Sequence, residues 1–398
     1  MKGSTTGDGG ESPTVHPLLR ELAPDYLERF GSSMPARQRQ VLKKILRCRT
    51  PALGGQMFQC PECPGFHYRY HSCNDRHCPQ CGQTDADAWL ERQRERLLLP
   101  VPCFFVTFTV PEELRFFIRS HPRIGLDLLF AASSGALQDL AANPRRWGAQ
   151  LGMLGVLHTW SRTLQFHPHI HYLIPGGGLS ADGRRWVRAK TKFLLHHKAL
   201  GARVCTLFKE RLFKQHPELF QTVPAKVWKH RWNVGCQAAG SGENALRYLS
   251  RYVFKTATGN RTVQLLPEGR MRWPYRESKT GKHTAIHLER LEFMRRFLQH
   301  ILPPHFARVR TFGWLHPAAR VRLNRVRALL RQEPLLTPAE EQTWKAPANP
   351  VATVEAPTPA TPPVTKCAAP LCPRCQRGMR LVGTWRAGQG ITYPNRPP

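Results

Sequence analysis

Acidic side chains are scarce. The chain of 398 residues carries 27 Asp and Glu against 59 Lys and Arg, a formal net charge of +32 before any of its 18 histidines titrates. An excess of that size repels cations and attracts any polyanion, which sets the chain apart from an ordinary metabolic enzyme and makes nucleic acid the expected partner. Long apolar runs are missing as well. No stretch approaches the roughly 18 residues of a membrane span, and Met1 to Ser12 is polar and glycine-rich, without the apolar core of a secretory signal. The expectation is a soluble, cytoplasmic protein with no membrane partner. Core-forming residues are not missing: 41% of the chain is hydrophobic, which excludes a wholly disordered basic tail. The length leads us to expect two or three domains, and no internal repeat is visible.

The twelve cysteines include three C-x-x-C pairs, Cys60/Cys63, Cys78/Cys81 and Cys372/Cys375. That spacing suits a reduced metal-binding protein better than a disulfide scaffold. Residues 52–82 are too poor in aliphatics to fold without a staple. Cys60, Cys63, Cys78 and Cys81 have nearly the spacing of a zinc ribbon, each pair forming a knuckle on one side of a tetrahedral ion. One structural zinc on these four is the first expectation, with Cys73 as an alternative ligand and His67, His71 and His77 also within the loop. Cys372 and Cys375, with Cys367 nearby, make an incomplete site that needs a ligand from elsewhere.

Periodicity predicts two helices between His16 and Arg47 and a third from Trp89 to Leu99. A strand is expected at Phe104–Val110, with Phe104, Val106, Phe108 and Val110 on one face. Helical sequence follows from Glu112 to Ala142, then strands over Met153–Trp160 and Gln165–Ile174. Helices are expected over about Ala189–Leu212, Glu243–Lys255 and Leu288–Leu302, and a hairpin over Thr262–Leu266 and Met271–Tyr275. Strands followed by helices without regular βαβ repetition predict an α+β fold.

The run Phe166-His167-Pro168-His169-Ile170-His171-Tyr172 is the most informative. On a strand, His169 and His171 share one face while Phe166, Ile170 and Tyr172 pack on the other. Two imidazoles so spaced form half of a divalent-metal site. His167 shares their parity and is the candidate third ligand, with His158 on the preceding strand as its competitor. Tyr248 and Tyr252, four apart on a helix, present their hydroxyls on one side and flank the apolar stripe of Ala245, Leu249 and Val253. A tyrosine near a divalent ion can attack a phosphodiester, forming a covalent phosphotyrosine and freeing a 3′-hydroxyl, so that a strand can be rejoined elsewhere without a nucleotide cofactor.

From Pro303 to Gln332 there are seven arginines and no acidic residue. Arg308, Arg310, Arg320, Arg327 and Arg331 are the expected phosphate contacts, with Lys279 and Lys282 as a weaker second patch.

His169-Ile170-His171 resembles the motif of the HUH endonucleases, and Tyr248-x3-Tyr252 resembles their two-tyrosine branch; Phe105–Pro111 is similar to the first motif of that class. The run Ser72–Cys81, the stretch from Leu157-His158-Thr159-Trp160 through His167–His169 to Pro175–Ser180, and Tyr248–Tyr252 are together similar to the insertion sequence 91 family of rolling-circle transposases. The likeness runs from about Cys48 to Trp314, in the family's order. It implies a central antiparallel sheet flanked by helices, with the histidines on a middle strand and the tyrosines on a helix facing them, preceded by a small zinc-binding domain. It further implies magnesium or manganese on His169 and His171, Tyr248 and Tyr252 as nucleophiles, a bacterial setting, and single-stranded element ends and target DNA as partners. One departure is Ser161-Arg162, where many relatives are expected to carry Gly-Gln. A rolling-circle replication initiator and a non-catalytic zinc-dependent DNA-binding protein are the alternatives. The expected organisation is residues 1–15 disordered, 16–99 helical and zinc-binding, 100–332 catalytic, 333–366 a Pro-rich linker, and 367–398 a C-x-x-C tail.

Overall fold

The computed structural model describes residues 14–81, 86–189, 194–229, 232–254, 258, 263–277, 280–343 and 370–392. Two helices, α1 (Val15–Phe30) and α2 (Ala36–Arg47), lead into an antiparallel hairpin of β1 (Gly54–Gln59) and β2 (Phe66–Tyr70), and α3 (Ala86–Leu97) follows. Next come β3 (Cys103–Thr109), α4 (Leu114–Ser120), α5 (Pro122–Ala142), β4 (Ala149–Gln150), β5 (Gly152–Trp160) and β6 (Phe166–Pro175). Short β7 (Gly177–Ser180) and β8 (Trp186–Arg188) lie on the far side of a glycine turn and precede α6 (His197–Gln215), α7 (Pro217–Gln221) and α8 (Lys226–Lys229). The chain continues through β9 (Asn233–Ala238), α9 (Glu243–Phe254), β10 (Gln264–Leu265), β11 (Met271–Arg276), β12 (His283–Leu288) and α10 (Arg290–Leu298). It then runs through β13 (Val309–Gly313), α11 (Arg320–Leu329), α12 (Pro338–Thr343) and β14 (Arg380–Arg386).

The central sheet has the order β13-β5-β6-β3-β9, with every neighbour antiparallel. It is covered on both faces, so β3, β5 and β6 are buried along most of their length. On one face Phe104, Val106, Phe108, Ile170, Tyr172 and Ile174 pack against α5 and α6. The Tyr172 ring lies across Gly155, where an added Cβ would stand 2.7 Å from Cε1. On the other face Phe105, Leu154, Val156 and Leu173 pack against Leu246, Leu249 and Val253 of α9, residues of α3, and Leu323 and Val326 of α11. A third core joins α1 and α2 to α10 and to the small sheet β10-β11-β12. The fold class is α+β, as expected, with antiparallel sheets flanked by helices and cysteine clusters at the N-terminal side.

Several expectations change. The helix expected over Leu288–Leu302 spans only Arg290–Leu298, because β12 claims the residues before it. The basic helix expected at the C-terminal end of the catalytic region covers only part of the arginine run. The run opens with β13, which pairs with β5, and only Arg320–Leu329 is helical. Part of the expected linker is held: Leu336 is buried, and Asn324 Nδ2 donates to its carbonyl at 2.9 Å. The tail also pairs with the N-terminal region, β14 running antiparallel to β1. The short strands β1, β2, β12, β13 and β14 lack the long alternating apolar pattern by which β3, β5 and β6 are read.

Candidate active site and zinc-binding domain

The register of the sheet decides which histidines meet. His169 stands opposite His158 on β5, and His171 stands between Val156 on β5 and Thr107 on β3. The ligand nitrogens of His158, His169 and His171 all lie within 4.8 Å of one another. His158 is therefore the third member of the cluster, which corrects the expectation of His167. The reason is geometric: His167 and His171 are four residues apart on one strand, roughly 13 Å, whereas His158 is a cross-strand neighbour. His167 contributes its carbonyl, which accepts from His169 Nδ1 at 2.6 Å. Thr107 Oγ1 lies 2.8 Å from His171 Nδ1. These two bonds orient the rings and leave each Nε2 for a ligand.

Burial pushes the imidazoles down, His169 to about 4, His171 to about 2 and His158 well below the ordinary range, with the neighbouring histidine charges adding to the effect at His158 and His171. All three are neutral at pH 7, the form that binds metal. His171 Nε2 is buried with no hydrogen-bond partner. Three neutral buried imidazoles and an orphaned nitrogen fit a divalent ion.

Tyr248 faces this cluster from α9, with its ring edge-on to His171 and Phe105 at 5.9 Å each and 6.3 Å from His158. It keeps 39% of its surface exposed while Leu246, Leu249 and Val253 are buried beneath it. Tyr252 lies one turn further along the same helix. Its side chain lies outside the described residues, as do Lys279 and Cys367.

Both ends of α9 are anchored. Arg94 of α3 makes an ion pair with Glu243 at its N-terminus, and this bond holds the Glu243 carboxyl below its ordinary range. Arg308 donates to the Val253 carbonyl in its last turn at 3.4 Å. That role corrects the reading of Arg308 as a surface phosphate contact. Its guanidinium is buried and pushed down to about 9 by desolvation, and it lies 5.8 Å from the Trp160 ring, which in turn stacks on His158. Arg310 and Arg327 are corrected in the same way. Arg310 pairs with Asp127 and sits over the Phe130 and Phe306 rings, because β13 turns it into the protein. Arg327 is buried, donating to the carbonyls of Glu95 and Glu333. Arg320 is half-buried, and Arg331 and Lys282 are exposed, as are Arg322 and Arg325.

The cysteines form two tetrads instead of the expected set of Cys60, Cys63, Cys78 and Cys81. Cys48, Cys73, Cys78 and Cys81 converge, and so do Cys60, Cys63, Cys372 and Cys375. The hairpin explains the split. Strand β1 carries the chain roughly 17 Å from its start to its tip, and β2 brings it back, with Arg49 N–H donating to the His71 carbonyl at 3.0 Å. Cys73, Cys78 and Cys81 thus return to Cys48, at the end of α2, while Cys60 and Cys63 stay at the tip. Cys48 lies outside every C-x-x-C pair, so its role was not readable from spacing.

His67 and His71 join neither tetrad, and His77 has another task. The Leu302 amide donates to its Nε2 at 3.1 Å, and its Nδ1–H donates to Asp75 at 2.9 Å. Burial pushes it down to about 4, so this is the neutral ring. Arg76 beside it donates to the carbonyls of Phe306 at 2.7 Å and Pro303 at 3.4 Å. The cysteine loop is thereby docked on the segment leading into β13 of the central sheet.

A family model described as "Transposase zinc-binding domain" matches residues 18–110, and one described as "Putative transposase" matches residues 152–322. "Putative transposase y4qJ" of Sinorhizobium fredii (strain NBRC 101917 / NGR234) is 33% identical over 321 residues, covering 76% of this chain and 80% of its own length. "Transposase for insertion sequence element IS801" of Pseudomonas savastanoi pv. phaseolicola is 28% identical over 340 residues, with the same coverage of 76% and 80%. No solved structure matches. A zinc-binding domain joined to a transposase domain defines an enzyme that acts on DNA. The chain belongs to the IS91 family of transposases. Among the described residues no helix is long and apolar enough to cross a membrane.

Proposed function

We propose that this transposase cuts and rejoins single-stranded DNA through covalent 5′-phosphotyrosine links made by Tyr248 and Tyr252, in rolling-circle transposition of an insertion element. The observation that carries this reading is the Tyr248 ring standing 5.9 Å from His171, beside the buried trio of His158, His169 and His171. The trio would hold magnesium or manganese, whose Lewis acidity polarises a phosphodiester.

The phenol oxygen of Tyr248 attacks phosphorus and loses its proton; the bond to the 3′-oxygen breaks, and that oxygen leaves as a hydroxyl. Rejoining is the reverse attack by another 3′-hydroxyl, which returns the phenol. The energy of the broken bond stays in the protein–DNA link. Tyr252, one turn along, permits a second such event. Arg94 and Arg308 hold the helix so that the nucleophile keeps its position over the histidines.

Exposed groups on α4 and α11 support a path for the strand. Phe116 on α4 is 69% exposed and lies with Arg115 and Arg119 around a groove also lined by Gln165 and Phe166, at the His167 end of β6. An aromatic ring among guanidinium groups is the arrangement on which single-stranded bases stack. Arg322, Arg325 and Arg331 supply further positive charge. Cys48, Cys73, Cys78 and Cys81 would hold the structural zinc, which would keep the loop of Arg76 and His77 folded.

The test is a labelled single-stranded oligonucleotide carrying an element end, incubated with magnesium, manganese or EDTA. A denaturant-resistant protein–DNA adduct is expected with either metal and not with EDTA. No adduct under any condition would refute covalent catalysis and leave a non-catalytic DNA-binding protein.

A further inference from the structure

We propose that Cys60, Cys63, Cys372 and Cys375 bind a second zinc ion, and that this ion staples the C-terminal segment onto the zinc-binding domain. The family's zinc-binding match ends at residue 110, so it contains half of this tetrad and none of the tail. All four sulfurs lie within 4.8 Å of one another, with Cys60 and Cys375 Sγ at 3.5 Å. Zinc–sulfur bonds of about 2.3 Å give a tetrahedron with edges of ~3.8 Å. Cys73 and Cys81 in the other tetrad are 3.6 Å apart, so the two clusters are built to one scale.

The surroundings are those of two zinc knuckles. The amides of Glu62 and Cys63 donate to Cys60 Sγ at 3.4 and 3.3 Å, closing the first knuckle around the sulfur. On the tail, the Cys372 amide donates to the Arg377 carbonyl and the Gln376 amide to the Cys372 carbonyl, both at 2.8 Å, closing a tight turn. Gln376 adopts a φ of 60° to allow it. Four sulfurs converging on one point, rather than in two pairs, match a tetrahedral ion better than disulfides.

The tail needs such a staple. Among the described residues its cluster contains only Phe58, Cys60, Cys372 and Met379, with Cys63 alongside, too little apolar surface to hold a segment by burial. Arg377 and Glu62, 2.9 Å apart, are exposed and add little. Strand β14 still pairs along β1, from Gly54 opposite Arg386 to Gln59 opposite Arg380, with one register shift between Met57 and Phe58. That pairing brings Trp385 edge-on to Tyr68 and Tyr70, at 6.1 and 5.9 Å. A metal bond that closes so long a loop supplies what the small cluster lacks.

The experiment measures zinc per chain in the reduced full-length protein by mass spectrometry of the metal, for the wild type and for Cys372→Ser plus Cys375→Ser. Any ion on the histidine trio is common to both and cancels in the difference. The double variant is expected to hold one zinc fewer, while keeping the wild-type circular dichroism. Equal zinc contents, or loss of all zinc, would overturn the proposal. Should the variant fail to fold, cobalt titration of the metal-free wild type decides: thiolate-to-cobalt absorption saturating at two equivalents supports the second site, and saturation at one overturns it.

Discussion

Replacing His77 with alanine separates a clamp from a metal ligand. The imidazole is buried and neutral, accepts from the Leu302 amide at 3.1 Å and donates to Asp75 at 2.9 Å. Alanine leaves the Leu302 amide buried without a partner, at about 1–3 kcal/mol, and removes a hydrogen bond to a carboxylate, at about 1.5–3 kcal/mol. Asp75 keeps the His77 backbone amide at 3.0 Å and Lys44 at 3.8 Å, which places the total in the lower half of the combined range, about 3–4 kcal/mol. Against a total stability of about 5–15 kcal/mol this is a large loss. It falls on the docking of the cysteine loop rather than on either tetrad. Urea unfolding should show a lower midpoint, and the Leu302 amide should lose hydrogen-exchange protection, while zinc content stays at the wild-type value. His77→Gln, with an acceptor and a donor, should recover part of the loss. A cost below about 1 kcal/mol, or a fall in bound zinc, would refute the assignment.

Three further outcomes follow from the same geometry. Thr107→Val removes the partner of His171 Nδ1 and should weaken manganese binding by about 10–100-fold without unfolding the sheet, as read by titration calorimetry. Arg322→Ala with Arg325→Ala should lower the salt dependence of single-strand binding by about 0.7 for each phosphate no longer neutralised, at unchanged stability, whereas Arg327→Ala should cost about 2–3 kcal/mol in a urea melt. His300 is fully buried and pushed down to about 4 by desolvation, so the native state holds it neutral while the unfolded chain protonates it near 6.5. Its contribution is complete above pH 6.5 and lost as pH falls toward 4, a slope of up to about 1.4 kcal/mol per pH unit that His300→Phe should flatten.

Legibility in the sequence followed the range of the interaction. Alternation along β6 assigned His169 and His171 to one face and Ile170 and Tyr172 to the other, and helical spacing placed Tyr248 beside the buried Leu249. Both are properties of a single element. The third histidine was not decidable in this way, since His158 and His167 differ only in strand register, which the pairing of β5 with β6 fixes. The cysteine sets were misread for a similar reason. Spacing groups residues near in sequence, but the β1–β2 hairpin sends Cys60 and Cys78 to opposite ends, and two of the partners of Cys60, Cys372 and Cys375, come from the segment before β14, more than three hundred residues later. The arginine run reads in sequence as a set of phosphate contacts because its charge pattern is local. The burial of Arg308 and the pairing of Arg310 with Asp127 come from β13 pairing with β5, which no charge pattern reveals.

The central claim is that tyrosines on α9 carry the DNA, and the sequence offers a direct reading of which one. Trypsin cuts after Arg247, Arg251 and Lys255, so Tyr248 and Tyr252 fall in separate peptides, Tyr248–Arg251 and Tyr252–Lys255. Mass spectrometry of the adduct formed with manganese, after nuclease trimming, should find a nucleotide 5′-phosphate on one or both of these peptides, and Tyr248→Phe with Tyr252→Phe should form no adduct. A nucleotide on any other peptide, or an adduct that persists in the double variant, would contradict the account.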